Sequence, residues 1–334
     1  MSKIEVVFFQ RRPRPSGNFS LEFIFEDVRR RLADRIEARV VISRFISSGL
    51  WPRIYNMIEA RFRQGQVNHV TGDVNFLAIL LDPRRTVLTI LDCYLMHVKT
   101  GPSRWLYKKL FLDWPVRRAR IVTTISEASK NDIIQFTGCD PDKVVIVPVA
   151  IAEAFQPNPK PFNKEKPNIL HIGTAPNKNL ERLVPALEGI PCKLTIIGQL
   201  SDEQKALLAR HRIDYDNAWS IPFEEIVEKY RQCDMLAFAS TYEGFGMPIL
   251  EANATGRPVL TGNVTSMPWV AGNAACLVNP YDVDDIRQGV LRIIEADDYR
   301  EQLIRNGFEN VRRFDPDHVA NLYYQVYERV AHDT

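Results

Sequence analysis

The chain has 334 residues, and its composition, 45% hydrophobic and 25% charged, is that of an ordinary globular protein. This length predicts two domains of about 150 residues each, and the absence of any run of 18 or more apolar residues argues against a membrane-spanning helix. The net charge of +2 hides an asymmetry: residues 1–150 hold 24 Lys and Arg against 15 Asp and Glu, a net of +9, so the remainder carries −7 and the first half should favour anionic partners.

The first segment predicts the opening unit of a doubly wound α/β domain. Lys3 to Gln10 is an apolar strand candidate and not a signal peptide, because it carries Glu5 and lacks a small-residue cleavage site. A loop rich in Arg, Pro and Gly follows, and Leu21 to Leu32 shows helical spacing. Strand, glycine loop and helix together predict that the backbone at Gly17 lies at a cleft, although a plain turn before the helix explains the loop equally well.

Two further strands and a basic segment follow. Val67 to Val70 and Thr86 to Leu91 are short strand candidates whose carboxyl ends should lie at the same cleft. Gly101 to Arg120 interleaves aromatic side chains with six basic ones, against the single acid Asp113. Two interpretations stay open for this segment: a helix that lies in an anionic membrane interface, or a core-packed helix with a cationic outer side.

A proline-rich stretch separates the two halves. Val144 to Val149 is the last strand of the first half, and five prolines between residues 148 and 167 predict a linker over 151–167. The second domain is then expected at 168–314, beginning with the strand at Asn168. The five cysteines show no Cys-x2-Cys spacing, which argues for reduced thiols in a cytoplasm and against a zinc site.

The most informative stretch runs from Leu236 to Gly262. An apolar strand to Ala239 is followed by a loop with two glycines and by Pro248, which suits the first turn of a helix that should end near Gly256. The helix N-terminus offers backbone N–H groups to an anion, at Gly244, Phe245, Gly246 and Met247.

Two carboxylates bracket this loop. Glu243 precedes it, and Glu251 lies three residues past Pro248, so that one helical turn brings it back toward the face that Glu243 occupies. An anion site flanked by two hydroxyl-binding carboxylates suits a nucleoside diphosphate sugar, which has a diphosphate, a ribose diol and a polyhydroxyl sugar.

The stretch Glu-Gly-Phe-Gly-Met-Pro-Ile-Leu-Glu-Ala, followed by Gly-Arg-Pro-Val, resembles the signature of retaining glycosyltransferases of the GT-B fold, specifically glycosyltransferase family 4. The resemblance implies two doubly wound, Rossmann-like α/β domains that face a cleft, with residues 315–334 forming a helix that returns to the first domain. It assigns Glu243 to the donor sugar, as a catalytic residue, and Glu251 to the ribose hydroxyls.

Other positions match the family only in part. Lys178 matches the family's diphosphate-binding Lys and is the second catalytic candidate, while Thr174 stands where an Arg is common and is a donor-binding candidate. Gly17 resembles the family's N-terminal glycine loop and is a further donor-binding candidate. Leu91 replaces a His that lies near the reacting sugar, and His69 or His97 could take its place.

The resemblance therefore implies a metal-independent retaining hexosyltransferase without a cofactor, which uses a nucleoside diphosphate sugar as donor. The basic first half suggests a lipid-linked saccharide acceptor in bacterial surface polysaccharide synthesis, and a cytoplasmic protein at the inner face of the cell membrane. A catalytically silent nucleotide-sugar-binding protein and a nucleotide-sugar epimerase remain alternatives. We expect no nucleic-acid partner, because no recognition motif accompanies the basic residues.

Overall fold

The computed structural model describes residues 3–12 and 20–332. Contacts between residues divide the chain into two compact units: unit 1 comprises Met1–Ala150 and Pro316–Thr334, and unit 2 comprises Ile151–Asp315. Among the described residues, no helix is both long and apolar enough to cross a bilayer.

Unit 1 is built on a parallel six-stranded sheet with the order β2-β1-β3-β4-β5-β6. The strands are β1 Ile4–Gln10, β2 Ile36–Ile42, β3 Val67–Thr71, β4 Thr86–Thr89, β5 Ile121–Thr124 and β6 Val144–Ile146. The helices are α1 Ser20–Arg31, α2 Leu50–Arg61, α3 Tyr94–Val98, α4 Gly101–Tyr107, α5 Trp114–Arg118, α6 Glu127–Thr137 and the C-terminal helix Pro316–His332. A π-helix, Lys108–Asp113, joins α4 to α5, and 3-10 turns lie at Asn75–Ile79, Pro83–Arg85 and Pro141–Lys143.

Both faces of this sheet are covered, which is why its strands are almost continuously apolar. On one face, alternate residues such as Val7 and Phe9 of β1 pack with α5 and α6. On the other, Val6 and Phe8 pack with α1 and the C-terminal helix, which contributes Tyr327 and other apolar side chains.

His69 lies within this packing. It is fully buried on β3, where its Nδ1 is 2.8 Å from the hydroxyl of Tyr327 and its Nε2 is 2.7 Å from the hydroxyl of Thr89. Burial lowers its pKa to about 3, so the ring is neutral at physiological pH. The interpretation of His69 as a substitute for the missing catalytic His is therefore wrong, because both of its nitrogens are used inside the core.

Unit 2 holds a second parallel six-stranded sheet, with the order β12-β11-β10-β7-β8-β9. The strands are β7 Asn168–Ile172, β8 Lys193–Ile197, β9 Asp214–Ala218, β10 Met235–Phe238, β11 Val259–Gly262 and β12 Ala275–Val278. The helices are α7 Leu180–Leu187, α8 Asp202–Arg210, α9 Phe223–Gln232, α10 Met247–Thr255, α11 Met267–Ala271, α12 Val283–Glu295 and α13 Asp297–Asn310, with 3-10 turns at Pro176–Lys178 and Val311–Phe314. The α/β fold predicted from the sequence is confirmed by these two doubly wound sheets.

Residues 151–167, for which the sequence predicts a linker, fall in unit 2 and contact it closely. The ring of Phe155 is buried edge-to-face against Tyr230, with centroids 5.3 Å apart. Lys160 Nζ lies 2.9 Å from the carboxylate of the buried Asp234. This stretch has no regular secondary structure, yet side chains fix it along the surface of unit 2.

Candidate functional site

The candidate site lies where the strand order of unit 2 reverses. From β7 the chain proceeds outward to β8 and β9, and then returns to the other side of β7 with β10. In doubly wound sheets, ligands bind at such a point, outside the carboxyl ends of the two adjacent strands. Here those ends carry two loops, Gly173 to Asn179 after β7 and Ala239 to Gly246 after β10, and these loops contain the predicted residues Lys178 and Glu243.

The first loop folds back on itself so that Lys178 faces the second. Gly173 has a φ of +90°, and a Cβ at this position would lie 2.9 Å from Cγ of Lys178, so a glycine is required for the lysine stem to pass over the backbone. Lys178 Nζ donates to Glu243 Oε1 at 2.6 Å and lies 5.0 Å from the ring centroid of Phe238. The structure therefore brings together both residues that the sequence selected as catalytic.

The second loop is held from two sides. The side-chain amide of Asn177 donates to the backbone carbonyl of Tyr242 at 2.9 Å, and the backbone carbonyl of Asn177 accepts from the backbone N–H of Thr241 at 2.8 Å. From the loop after β11, the Ser266 hydroxyl lies 2.9 Å and 2.7 Å from the carbonyls of Glu243 and Phe245. These bonds fix the backbone on both sides of Glu243 before any ligand arrives.

Neither Asn177 nor Ser266 could be selected from the sequence as a residue that holds this loop. Neither belongs to a local pattern, since each acts on a loop more than 20 residues away. An asparagine directly before the candidate Lys178 was the only available signal.

The N-terminus of α10 is open to an anion. Gly246 precedes it with a φ of +108°, and no side chain caps this end of the helix. Backbone N–H groups in the first turn of a helix have no partner within the helix, and together they carry a partial positive charge. Phe245 could offer an anion only its backbone N–H, because its ring is buried. The ring lies edge-to-face against Phe314, with centroids 5.7 Å apart.

Glu251 lies one turn into α10 and has a buried partner. The hydroxyl of Tyr230, on α9, donates to Glu251 Oε2 at 2.5 Å. Burial raises the pKa of Glu251 to about 7, although the bond from Tyr230 acts in the opposite direction. The pKa of Tyr230 is itself raised well above its ordinary value by burial, so the phenol stays protonated and remains a donor. The structure describes no contact between Glu251 and Glu243.

Thr174, in the loop after β7, forms hydrogen bonds with two glutamine residues. Its hydroxyl donates to the carbonyl of Gln199 at 2.8 Å, and its own carbonyl accepts from the side chain of Gln204 at 2.8 Å. These bonds tie the loop after β7 to the loop after β8. A donor-binding role for Thr174 stays a prediction, and Gly17 lies outside the described residues.

The remaining candidates belong to unit 1. Leu91 lies two residues beyond β4 and is partly buried. His97 is exposed, and its Nε2 lies 2.8 Å from Asp132 Oδ2. In the basic segment, Lys108 and Lys109 both pair at 2.8 Å with Asp113, which reduces the free cationic charge there.

The chain contains four Asp-x-Asp spacings, beginning at residues 140, 214, 282 and 315. Each has a structural use: Asp140 and Asp282 cap helical turns, Asp214 and Asp216 pair with lysines, and Asp317 pairs with Arg31. Within residues 3–12 and 20–332, no group of three or more His, Cys, Asp or Glu side chains is placed to hold a metal ion.

Comparison with known proteins finds a matching family model and several relatives. Residues 153–310, which include Lys178, Glu243 and Glu251, match the family model of glycosyl transferases group 1. The O-antigen chain mannosyltransferase B of Escherichia coli is 27% identical over 248 residues, 68% of this chain and 64% of that protein. The MMP alpha-(1->4)-mannosyltransferase of Mycolicibacterium hassiacum is 26% identical over 257 residues, which are 70% of this chain and 62% of that protein. The chain thus spans less than two thirds of these relatives.

Solved structures share the whole fold. Anabaena Alr3699/HepE, crystallised with UDP and glucose, has a TM-score of 0.75 at 16% identity. The superposition covers 97% of this chain and 99% of the HepE chain. WaaG, a glycosyltransferase involved in lipopolysaccharide biosynthesis, has a TM-score of 0.69 at 15% identity, covering 96% and 99%. The GT-B fold expected from the sequence is confirmed.

Proposed function

Because residues 153–310 match the family model of glycosyl transferases group 1, we propose that the protein is a glycosyltransferase that moves a hexose from a nucleoside diphosphate sugar to a saccharide acceptor. The observation that carries the proposal is the pairing of Lys178 with Glu243 at the point where the sheet order reverses, beside the uncapped N-terminus of α10. The names of the relatives favour mannose as the transferred sugar and O-antigen or lipopolysaccharide assembly as the context.

In this proposal the diphosphate of the donor lies against the N-terminus of α10 and draws Lys178 away from Glu243. Lys178 and the backbone N–H groups stabilise the negative charge that develops on the leaving diphosphate, so no metal ion is required. Glu243 is then available to the hydroxyl groups of the sugar, while Glu251 accepts from the ribose hydroxyls. The protein has Leu91 where the family has a His, so a side-chain base is absent at that position.

We propose that the reaction retains the anomeric configuration, with the acceptor hydroxyl attacking the face from which the diphosphate leaves. An oxygen of the departing phosphate takes the acceptor proton. The acceptor is a lipid-linked saccharide, and the protein acts at the inner face of the cell membrane, where the net charge of +9 on residues 1–150 favours contact with anionic lipid.

The test is an assay of nucleoside diphosphate release with a panel of UDP-, GDP- and ADP-sugars, with and without an acceptor extract from a polysaccharide-producing bacterium. We expect acceptor-dependent release with one donor. Lys178→Ala should lower turnover about 100-fold, because it removes one well-placed group from the leaving phosphate. Lys193→Ala is the matched control. Lys193 also forms a salt bridge, 2.6 Å from Asp216, but it lies at the amino end of β8, whereas Lys178 follows the carboxyl end of β7.

Release without acceptor dependence, or equal turnover in both lysine variants, would contradict the proposal. Binding of a nucleotide sugar without any turnover would instead identify a catalytically silent binding protein, as the replacement of His by Leu91 allows.

A further inference from the structure

Helix α2 turns a stripe of apolar side chains toward solvent. Trp51, Tyr55, Ile58 and Phe62 recur at one-turn spacing along the helix and the residue that follows it, so they share one face. Their exposed fractions are 78%, 43%, 47% and 82%. The buried residues of this helix are Asn56 and Ala60, so its apolar stripe is not the side that packs on the core.

The stripe continues onto the segment before the helix. The side chain of Asn56 accepts from the backbone N–H of Phe45 at 3.2 Å and donates to its carbonyl at 2.9 Å, which fastens this segment to α2. The ring of Phe45 then lies edge-to-face on Tyr55, with centroids 5.0 Å apart. We call the resulting surface the α2 face, which consists of Phe45, Leu50, Trp51, Tyr55, Ile58 and Phe62.

The surroundings of the α2 face are basic. Residues 36–63 contain five arginines against two glutamates, a net of +3. Glu59 is neutralised locally by Arg63, at 2.9 Å, and Arg44 lies over the ring of Tyr55, 6.0 Å from its centroid. Arg44 therefore borders the apolar surface at Tyr55. Arg61 and Arg39, the latter paired with Glu5 at 3.3 Å, are also exposed in this stretch of the chain.

Unit 1 has a second exposed aromatic surface, around the π-helix. The guanidinium of Arg53, on α2, lies 5.5 Å from the ring centroid of Phe111 in the π-helix. The helices on either side of that π-helix expose Trp105 by 61% and Trp114 by 46%. Arg53 is two residues from Trp51 and so lies on the same side of α2 as Asn56 and Ala60, opposite the apolar stripe. The π-helix segment, for which the sequence left a membrane-facing interpretation open, therefore packs on the other side of α2 and is a second exposed aromatic surface of unit 1.

We propose that the α2 face docks onto an anionic lipid bilayer, with Trp51 and Phe62 inserted below the headgroups and the neighbouring arginines at the phosphates. Exposed aromatic side chains beside arginines suit the boundary between lipid headgroups and acyl chains. There the rings enter the apolar layer while the cations stay with the headgroups. The excess positive charge extends over the whole first half of the chain, which matches an extended negative surface better than a compact partner. The proposal does not depend on the glycosyltransferase activity.

The test is co-sedimentation of the full chain with vesicles of phosphatidylglycerol and phosphatidylcholine, compared with vesicles of phosphatidylcholine alone. We expect binding to the anionic vesicles that weakens with added salt, and at least a tenfold loss of affinity in Trp51→Ser/Phe62→Ser. The matched control is Trp219→Ser/Phe223→Ser, which removes two aromatic side chains of unit 2 that are 56% and 46% exposed.

A second measurement does not depend on a drastic substitution. Lipids with brominated acyl chains should quench part of the tryptophan fluorescence of the wild-type protein, and Trp51→Phe should abolish that part while the fold stays intact.

Three outcomes would overturn the proposal. They are the absence of vesicle binding by the wild-type protein, unchanged binding and quenching in the Trp51 variants, and a loss of binding only on charge reversal of Lys108, Lys109, Arg117 and Arg118. The first outcome would leave a protein partner as the occupant of the α2 face, and the last would assign the docking to the segment around the π-helix.

Discussion

Glu251, which we propose binds the ribose, has a carboxyl group whose pKa is raised to about 7. Burial raises its pKa from 4.5 to about 7, so folding retains a proton on this group that the unfolded chain has already lost. The contribution of this group to the free energy of unfolding therefore falls as the pH rises from about 4.5 through 7. In the proposed complex the ionised carboxylate accepts from the ribose hydroxyls, so the affinity for the donor should rise as the pH rises.

We predict that nucleoside diphosphate affinity increases between pH 6 and pH 8, because the ionised fraction of Glu251 rises from roughly one tenth to nine tenths. The gain should approach tenfold in the wild-type protein. Isothermal titration calorimetry at both pH values measures it, with Glu251→Gln as the control for titration of the nucleotide itself. Tyr230→Phe should move the transition to higher pH, because it removes a donor that favours the carboxylate. The same pH dependence in wild type and Glu251→Gln would refute this role.

At the residue scale, the sequence was sufficient to select side chains within one local motif and not to identify their partners. Glu243, Glu251 and Lys178 could be selected because the loop and helix around them constrain their positions. Tyr230 and Ser266 could not, because they approach Glu251 and Glu243 from other loops and helices, and such contacts depend on tertiary packing. The structural role of His69, which the sequence left open beside a catalytic one, could not be settled without the structure, because its partner Tyr327 lies 258 positions away along the chain.

At the element scale, the start of α10 depends on one glycine. Gly246 has a φ of +108°, a conformation that costs a residue with a Cβ about 1–2 kcal/mol. A Cβ there would also lie 3.1 Å from Cδ1 of Ile249, inside the first turn of the helix. The strain and the close contact both act on the backbone that we assign to the diphosphate.

We predict that Gly246→Ala lowers the midpoint of thermal unfolding and weakens nucleoside diphosphate binding several-fold. The matched control is Gly138→Ala after α6, since Gly138 has a φ of +66° but no atom within 4 Å of an added Cβ. The control should lose comparable stability without losing affinity. If both variants bind the nucleotide like the wild type, the N-terminus of α10 does not hold the diphosphate. Calorimetric binding and unfolding curves on the same samples separate the two effects.

Element positions were predictable where the periodicity was strong. The helix expected from Pro248 to Gly256 is observed as Met247–Thr255, and the helix expected over 315–334 is observed as Pro316–His332. Helix α2 was not predicted, although its apolar residues recur at helical spacing. That spacing alone would have favoured a stripe packed on a core, whereas the structure exposes the stripe and buries Asn56. Sequence periodicity identifies an amphipathic face but not what covers it.

At the scale of the whole molecule, the two units differ in charge and in proposed task. Unit 2 contains the family match, Lys178, Glu243 and Glu251, while the exposed aromatic and basic surfaces just described belong to unit 1. The charge asymmetry was visible in the sequence, because counting charges requires no structure. The close packing of residues 151–167 on unit 2 was not, since prolines and weak periodicity indicate an irregular segment without showing whether it is free or packed.

The most direct test of the central claim is a crystal structure of the protein with a bound nucleoside diphosphate. We expect the diphosphate at the N-terminus of α10, with Lys178 Nζ about 3 Å from a phosphate oxygen and released from Glu243, and the ribose hydroxyls at a similar distance from Glu251. A nucleotide bound away from the loops after β7 and β10, with the Lys178–Glu243 pair intact, would contradict the account.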